Sequence, residues 1–310
     1  MKKISIVSPC YNEEKNLHQL YKEVRAQFQE SLTNYEYEHI FIDNCSTDQT
    51  PEILRELAAQ DQNVKVIFNS KNFGHIRSPV HALFQAQGDA IIMLVSDLQD
   101  PPHLIPEFVK KWEEGNQIVV GVKKESEESA VMFAIRSMYY NLINKISETK
   151  LIKNFTGFGL YDKKIVSYLK LFDDPYPYFR GLVFKVGFKV DQIFYVQPKR
   201  KRGVTSNNFY SLYDIAMLGI CTHSKVPLRI FTISGFVLSG LSLVASLIYL
   251  VLKLVFWNSF QLGLAPLIIG LFFFSAVQLF SIGIIGEYIG VILTKITKEP
   301  LVIEKERLNF

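Results

Sequence analysis

The chain has 310 residues, with 34 Lys and Arg against 30 Asp and Glu, which gives a formal net charge of +4. Its 48% share of hydrophobic residues is high for a wholly soluble enzyme, whereas its 21% share of charged residues is too high for a pure membrane bundle. Polar and apolar residues must therefore be separated along the chain, and a charge of +4 is too small to indicate nucleic-acid binding.

Residues 1–208 are predicted to form one α/β domain, because strand and helix patterns alternate along them. Short apolar runs with β-branched residues predict strands at 4–8, 40–43, 64–68, 90–95 and 118–122. Between the strands lie helical patterns at 13–30, 50–60, 78–87 and 103–114. This alternation predicts a Rossmann-like, mainly parallel sheet with helices on both faces, in which ligands bind beyond the carboxyl ends of the strands.

The C-terminal third of the chain is predicted to be embedded in a membrane. Two stretches without charged residues, 230–252 and 264–286, are each long enough to cross about 30 Å of hydrocarbon as a helix. A buried core hairpin is the alternative. The preceding segment, 209–229, is predicted to be an amphipathic helix on the membrane surface. Basic residues flank the pair of spans, so the positive-inside rule predicts that both termini, including the tail 287–310, are cytoplasmic.

Three polar turns follow predicted strands. They are Ser8-Pro9-Cys10-Tyr11-Asn12-Glu13-Glu14, Asp43-Asn44-Cys45-Ser46-Thr47-Asp48 and Ser96-Asp97-Leu98-Gln99-Asp100-Pro101-Pro102. At one end of a parallel sheet they would form a cleft, where helix N-termini favour an anionic ligand. Asp97 and Gln99 offer hard oxygen atoms suited to Mg²⁺ or Mn²⁺ on phosphates. Asp48 and Asp100 are interpreted as ordinary caps and turn residues.

These turns resemble the motifs of glycosyltransferase family 2, in its branch of polyprenyl-phosphate sugar transferases. Gly286-Glu287-Tyr288-Ile289-Gly290 resembles the membrane-exit motif of that branch, and Arg180-Gly181-Leu182 resembles its glucosyltransferase members. The resemblance implies a GT-A fold and a multi-pass enzyme of the inner membrane. It implies inverting, metal-dependent transfer of a hexose from a nucleotide sugar to a polyprenyl phosphate, for cell-envelope glycan synthesis or modification. UDP-glucose and undecaprenyl phosphate are the first expectation, with other UDP-hexoses and GDP-mannose open.

The resemblance also implies three groups of site residues. The nucleotide sugar is expected at Pro9, Tyr11, Asn12, Glu13, Asp43 and Asp97. The divalent metal, Mg²⁺ or Mn²⁺, is expected at Asp97 and Gln99. The acceptor phosphate is expected at Arg180, Lys199, Arg200, Arg202 and Thr205, since guanidinium groups meet phosphate with bidentate geometry. The basic segment 199–202 is also compatible with contact to anionic lipid headgroups. Asp97, Arg200 and Arg202 are the expected catalytic residues.

Several positions depart from the family pattern: Asn44 and Gly157 stand where Asp is usual, Val95 where an acidic residue is usual, and Asn207 or Asn208 where Lys is usual. The losses favour an alternative, a catalytically impaired, membrane-anchored scaffold that binds nucleotide sugar. The retained Asp97 and Gln99 favour the enzyme. A processive polysaccharide synthase is excluded, because neither tryptophan follows an arginine as its Gln-x-x-Arg-Trp motif requires.

Two further expectations concern mechanism and assembly. The acceptor phosphate is already ionised near neutral pH, since the second pKa of such a monoester is about 6, so no general base is expected. Related proteins form tetramers, and a homotetramer is the corresponding expectation.

Overall fold

The computed structural model describes residues 1–124, 145–146, 151–198, 209–256 and 264–310. Eight strands of this part of the chain form a single sheet in the order β7-β5-β6-β4-β1-β2-β3-β8. Their bounds are β1 Lys3–Cys10, β2 Glu36–Asp43, β3 Val64–Asn69, β4 Ala90–Met93, β5 Ile118–Lys123, β6 Phe155–Asp162, β7 Val190–Tyr195 and β8 Glu304–Leu308.

The sheet is mainly parallel, as the sequence predicts. The pairs β1–β2, β1–β4, β2–β3 and β5–β7 are parallel. Strand β6 is antiparallel to both β4 and β5, and β8 is antiparallel to β3. The carboxyl ends of β1, β2, β3, β4, β5 and β7 therefore share one edge of the sheet, which we call the carboxyl edge, and the first residues of β6 lie at that same edge.

Helices cover both faces of the sheet. They are α1 Leu17–Glu30, α2 Thr50–Gln60, α3 Gly74–Gln85, α4 Ile105–Glu113, α5 Lys163–Leu171 and α6 Phe179–Lys185. Buried side chains of α1, α2 and α4, such as Leu20, Leu54 and Phe108, form a core on one face. Side chains of α3, α5 and α6, such as Leu83 and Leu182, form a second core on the other face. The strands are buried between the two layers, which accounts for their continuous apolar runs.

Two helices begin elsewhere than the sequence predicts, and hydrogen bonds at the carboxyl edge accompany both differences. Helix α1 begins at Leu17 and not at 13, and the backbone amide of Glu13, in the preceding turn, donates to the Thr50 hydroxyl at 2.9 Å. Helix α3 begins at Gly74, one turn before the predicted start, because the Asn72 side-chain oxygen accepts the Gly74 amide at 2.8 Å.

Three further helices lie towards the C-terminus: α7 Phe209–His223, α8 Val226–Val255 and α9 Leu264–Ile296. Among the described residues, Gly270–Ile296 is long and apolar enough to cross a membrane, and Val226–Ser242 is a shorter apolar helical segment. Phe231 of α8 packs edge-to-face on Phe280 of α9, with ring centroids 5.6 Å apart. Apolar side chains such as Phe236 and Phe272 are exposed along both helices, which is typical of helices that face lipid.

The last residues return to the α/β domain, which the boundary predicted at 208 leaves out. Strand β8 pairs with β3 and forms the edge of the sheet, with Leu308 beside Val66. Asn309 then donates hydrogen bonds to the carbonyl oxygens of Ala58 (2.7 Å) and Val64 (2.8 Å). The sequence Glu304-Lys305-Glu306-Arg307 carries a weak strand signal because it is almost entirely charged, as edge strands often are.

Candidate active site

The three polar turns converge at the carboxyl edge, as predicted. The last residues of β1 and β2 are register partners, Cys10 beside Asp43. The last residue of β4, Met93, lies beside Val7 of β1. Each turn therefore begins within one or two residues of the same level of the sheet, and the turns line one cleft.

The first two turns are tied together by hydrogen bonds between side chains and backbone. The backbone amide of Asn12 donates to the Ser46 hydroxyl at 2.9 Å, and the backbone amide of Thr47 donates to the Asn12 side-chain oxygen at 2.8 Å. Asn12 and Cys45 both adopt left-handed backbone conformations, with φ of 56° and 63°. These contacts hold the predicted donor turn in shape before any ligand binds.

Asp48 and Glu14 extend this connection. The Asp48 carboxylate accepts the backbone amides of Glu14 (3.2 Å) and Thr50 (3.0 Å). The Glu14 carboxylate in return accepts the amide of Gln49 at 3.1 Å. Asp48 therefore acts at the start of α2 as the turn residue that the sequence predicts.

Asp43 lies at the floor of this double turn. Its carboxylate is only 2% exposed and accepts both the amide (3.2 Å) and the hydroxyl of Ser46. Burial raises the pKa of Asp43, against the lowering effect of the Ser46 hydrogen bonds. Of the other expected donor residues, Pro9 is partly buried in β1 and Tyr11 is 41% exposed at the mouth of the cleft. An exposed ring beside a buried carboxylate is suited to a nucleotide base.

The structure explains why Asn44 replaces the usual Asp. Its amide group donates to the Asn72 side-chain oxygen (2.8 Å) and to the Gly74 carbonyl (3.3 Å). Its oxygen accepts from the Asn69 side chain (3.1 Å) and from the Phe73 amide (2.9 Å). A carboxylate cannot donate the first two bonds. Asn44 thus connects the second turn to the start of α3.

The third turn presents Asp97 and Gln99 at the cleft. Both side chains are partly exposed, and Leu98 between them has a left-handed φ of 59°. The backbone amide of Gln99 donates to Asp97 Oδ1 at 3.1 Å, which orients the carboxylate. Among the described residues, no group of three or more His, Cys, Asp or Glu is arranged to hold a metal ion. Two hard oxygen donors fit a divalent metal whose remaining ligands are donor phosphates and water.

Asp100 has a larger role than the cap that its sequence suggests. Its carboxylate is 2% exposed and accepts the hydroxyl of Tyr195, the last residue of β7, at 2.6 Å. Burial raises the pKa of Asp100 to about 6, although the nearby Lys123 and the Tyr195 hydrogen bond oppose the rise.

Gly157, where the resemblance implies an Asp, has a backbone conformation that favours glycine. Gly157 has a φ of +112°, and a Cβ atom there would lie 3.8 Å from Phe179, so the backbone conformation rather than space disfavours a side chain. The Tyr161 hydroxyl donates to the Gly157 carbonyl at 2.7 Å.

Arg180 is the expected acceptor residue that the structure places. It lies in the first turn of α6, at the carboxyl edge. Desolvation, and then the positive charge of Arg180, lower the pKa of His75 in the first turn of α3. His75 is not among the site residues predicted from the sequence, although it lies close enough to Arg180 for their charges to interact. The remaining acceptor residues, Lys199, Arg200, Arg202 and Thr205, lie outside the described residues.

The part of the chain that holds these turns matches a known protein family. The model of glycosyl transferase family 2 matches residues 5–168, which hold all three turns. The chain belongs to glycosyltransferase family 2.

Relatives of this glycosyltransferase match it along nearly its whole length. It is 36% identical over 300 residues to the uncharacterised glycosyltransferase YkcC of Bacillus subtilis, covering 96% of this chain and 92% of the relative. It is 34% identical over 305 residues to the SfII prophage-derived bactoprenol glucosyl transferase of Shigella flexneri, covering 98% of each. Among solved structures, glucosyl-3-phosphoglycerate synthase from Mycobacterium tuberculosis, in complex with Mn²⁺, UDP-glucose and phosphoglyceric acid, matches with a TM-score of 0.46 and 18% identity, covering 71% of this chain and 78% of that one.

Proposed function

We propose that this glycosyltransferase transfers glucose from UDP-glucose to a membrane polyprenyl phosphate, with undecaprenyl phosphate as the first candidate, and inverts the anomeric centre. The proposal draws on the 34% identity, over 98% of both chains, to a relative that is named a bactoprenol glucosyl transferase. The exposed Tyr11, the buried Asp43 and the oxygen donors of Asp97 and Gln99 supply a matching donor cleft.

The structural observation that carries the proposal is that the C-terminal end of α9 lies beside the carboxyl edge. Lys295, in the last turn of α9, forms an ion pair of 2.6 Å with Asp174. Glu299, three residues beyond α9, pairs with Arg77 in the first turn of α3 at 2.8 Å. The amide of Ser70, directly after β3, donates to the carbonyl of Ile303 at 2.9 Å. An acceptor phosphate at the membrane surface would therefore approach the same edge that holds the donor turns.

In the proposed arrangement, α8 and α9 are two membrane spans and α7 lies at the interface. Tyr213 of α7 donates to Glu287 at 2.7 Å, and Tyr288 donates to the carbonyl of Ser224 at 2.8 Å. These bonds fasten the segment around α7 to α9 at the end of its apolar stretch. Because β1 and β8 belong to one sheet, both chain ends lie on the same side of any membrane that α8 and α9 cross.

The donor diphosphate would be held with a divalent metal, Mg²⁺ or Mn²⁺, at Asp97 and Gln99. When bound, the metal would neutralise charge on the leaving diphosphate. Asn12 and Glu13 belong to the hydrogen-bonded first turn, which would position the nucleotide above Asp43.

The acceptor would attack without a protein base. A phosphate monoester is at least singly ionised near neutral pH, since its second pKa is about 6, so its oxygen has no proton that the protein must remove. Gly157 fits this mechanism, because it offers no carboxylate at the position where the resemblance implies an Asp. The protein would then supply alignment and charge, through Arg180 and through Arg200 and Arg202 of the basic segment.

Radiolabelled transfer into lipid tests the proposal. Membranes containing the protein are incubated with undecaprenyl phosphate and one radiolabelled nucleotide sugar at a time. The nucleotide sugars are UDP-glucose, other UDP-hexoses and GDP-mannose. A labelled glycolipid formed from UDP-glucose supports the proposal, and a product from another donor alone corrects the sugar. Binding of nucleotide sugar without transfer to lipid would instead support the scaffold alternative.

A further inference from the structure

The turn that presents Asp97 and Gln99 lies outside regular secondary structure. The Leu94 amide donates to the Val7 carbonyl at 2.9 Å, and the Ser96 hydroxyl lies 3.1 Å from Sγ of Cys10, the last residue of β1. From there the chain reverses through Leu98, whose φ of 59° is left-handed, before the short 3-10 turn Pro102–Leu104. The two proposed metal ligands lie in the middle of this segment. Their geometry depends on whatever holds the two ends of the segment together.

Asp100 supplies that connection. Its buried carboxylate interacts with the backbone amide of Val95, at the beginning of the turn, and accepts the Tyr195 hydroxyl at 2.6 Å. One side chain therefore joins the two ends of the turn and ties both to β7. Such buried hydrogen bonds to a charged group are worth more than neutral ones.

Tyr195 is itself rigidly placed. Its ring packs edge-to-face on Phe158, with centroids 5.5 Å apart, and its hydroxyl also interacts with the side chain of Thr156. A Cβ atom at Gly121 would lie 2.7 Å from the Phe158 ring and 3.1 Å from the Tyr195 ring, so the glycine makes room for this pair. The anchor of the turn thus belongs to the packed core and not to a mobile side chain.

We propose that Asp100 is a positioning residue, which holds residues 95–100 in the shape that lets Asp97 and Gln99 bind a divalent metal on the donor diphosphate. The inference rests on the proposed function, since the metal and the diphosphate belong to it. In this proposal Asp100 contacts neither the metal nor the diphosphate. It acts through the backbone of the turn, as outer groups do when they orient metal ligands.

The test measures binding of Mn²⁺ and UDP to the full-length protein in detergent, by calorimetry, in the variants Asp100→Asn and Tyr195→Phe. Asp100→Asn keeps the shape of the side chain but removes one of two acceptor oxygens. Tyr195→Phe removes one donor and leaves the carboxylate in place. We expect both to raise the dissociation constant of Mn²⁺ in the presence of saturating UDP by at least about tenfold. Binding of UDP without metal should change little, because the first two turns are untouched.

Asp162→Asn is the matched control. Asp162 lies at the opposite edge of the same sheet, accepts the Trp112 indole N–H at 2.8 Å and accepts the amide of Lys164 at 2.8 Å. This variant should lower the melting temperature yet keep the wild-type affinity for Mn²⁺. The inference is overturned if both site variants bind Mn²⁺ within twofold of wild type, or if Asp162→Asn weakens binding equally. Wild-type protein that binds neither UDP nor Mn²⁺ would refute the proposed donor site itself, and with it this role of Asp100.

Discussion

At the scale of single residues, the cleft combines side chains that are aimed at a ligand with side chains that shape the backbone. Asp97 is partly exposed, and its carboxylate accepts the backbone amide of Gln99. Asn44 is buried and makes four hydrogen bonds within the protein. Both belong to polar turns of the same kind in the sequence, but their replacement should have different consequences.

Replacing Asp97 by Asn should abolish metal-dependent donor binding and reduce glucosyl transfer by at least about 100-fold, because the charged ligand of the proposed metal is lost. Transfer to lipid and calorimetric binding of UDP with Mn²⁺ measure the two effects. Asp89→Asn is the control, since Asp89 is also partly exposed but accepts the Lys3 amide (2.9 Å) at the opposite edge. Wild-type transfer by Asp97→Asn would show that the metal, if used, binds elsewhere.

Replacing Asn44 by Asp should destabilise the protein and not improve its activity. The Asn72 oxygen and the Gly74 carbonyl would each lose the hydrogen bond from residue 44, and a carboxylate would be buried in place of an amide, at a cost of about 1–3 kcal/mol in the free energy of unfolding. Urea denaturation in detergent, followed by the fluorescence of the buried Trp112, measures the loss. Asn63→Asp, on an exposed residue, should be neutral by comparison. An Asn44→Asp protein as stable as wild type would contradict the hydrogen-bond assignment.

At the scale of elements, strand β2 carries two buried ionisable groups in succession. Glu38 is paired with Lys3 at 2.8 Å and with Lys65 at 2.9 Å. Although burial opposes its ionisation, hydrogen bonds from Lys3, Lys65 and Ser5 hold the pKa of Glu38 at about 2. The imidazole of the next residue, His39, contacts the Ser8 hydroxyl at 2.9 Å, and burial lowers the pKa of His39 to about 3.

The lowered pKa values of Glu38 and His39 each make the free energy of unfolding decrease on acidification. The unfolded chain takes up a proton on His39 near pH 6.5 but the folded chain does so only near pH 3, so the free energy of unfolding falls across that interval. The stabilising contribution of Glu38 is complete above about pH 4.5 and is lost as the pH falls towards 2. Asp100 acts in the opposite direction, because its pKa is raised to about 6 and its protonation stabilises the folded state below that pH. Urea midpoints measured at pH 7.5, 6.5, 5.5 and 4.5 therefore report the sum of these effects.

Substitution separates the contribution of His39. A His39→Gln variant should show a shallower decrease between pH 6.5 and 4.5, because it has no imidazole to protonate in the unfolded state. His103→Gln, on an exposed histidine, should follow the wild-type slope. Identical slopes for all three proteins would refute the assignment of the effect to His39.

At the scale of the whole molecule, strand β8 links the apolar helices α8 and α9 to the α/β domain. The chain leaves β7 for the helical region and returns to pair with β3, where Arg55 binds Glu306 at 2.7 Å. This return, with the ion pairs of Lys295 and Arg77, holds the end of α9 at the carboxyl edge. The fold therefore fixes the distance between the donor cleft and the proposed membrane surface.

Reporter fusions at the two termini should give the same cytoplasmic signal, because β1 and β8 share a sheet. A fusion within 257–263, between the two proposed spans, should report the opposite side. Deletion of one span is the control, since it should invert the relation between the termini or prevent folding. A loop signal on the cytoplasmic side would refute the two-span arrangement and leave the sheet unaffected.

The sequence by itself predicted that the three polar turns meet at one edge of the sheet. Strand and helix patterns alternate through residues 1–122, and parallel strands joined by helical crossovers must end at a common edge. Asp43 ends one such strand and Asp97 lies in the turn after another, so their location at the same edge needs no knowledge of side-chain packing. The uncharged stretch 264–286, which overlaps the apolar helix Gly270–Ile296, likewise shows its apolar character in composition alone.

Only the tertiary structure decided the partners of buried polar groups and the position of the last strand. Asp100 meets Tyr195 across 95 positions of sequence, and Asn44 meets residues of the next strand and helix. Local periodicity carries no record of such pairs, because each depends on how separate elements pack. Strand β8 is the clearest case: its charged residues form a strand because the open edge of β3 offers backbone hydrogen bonds, and that edge exists only in the folded sheet.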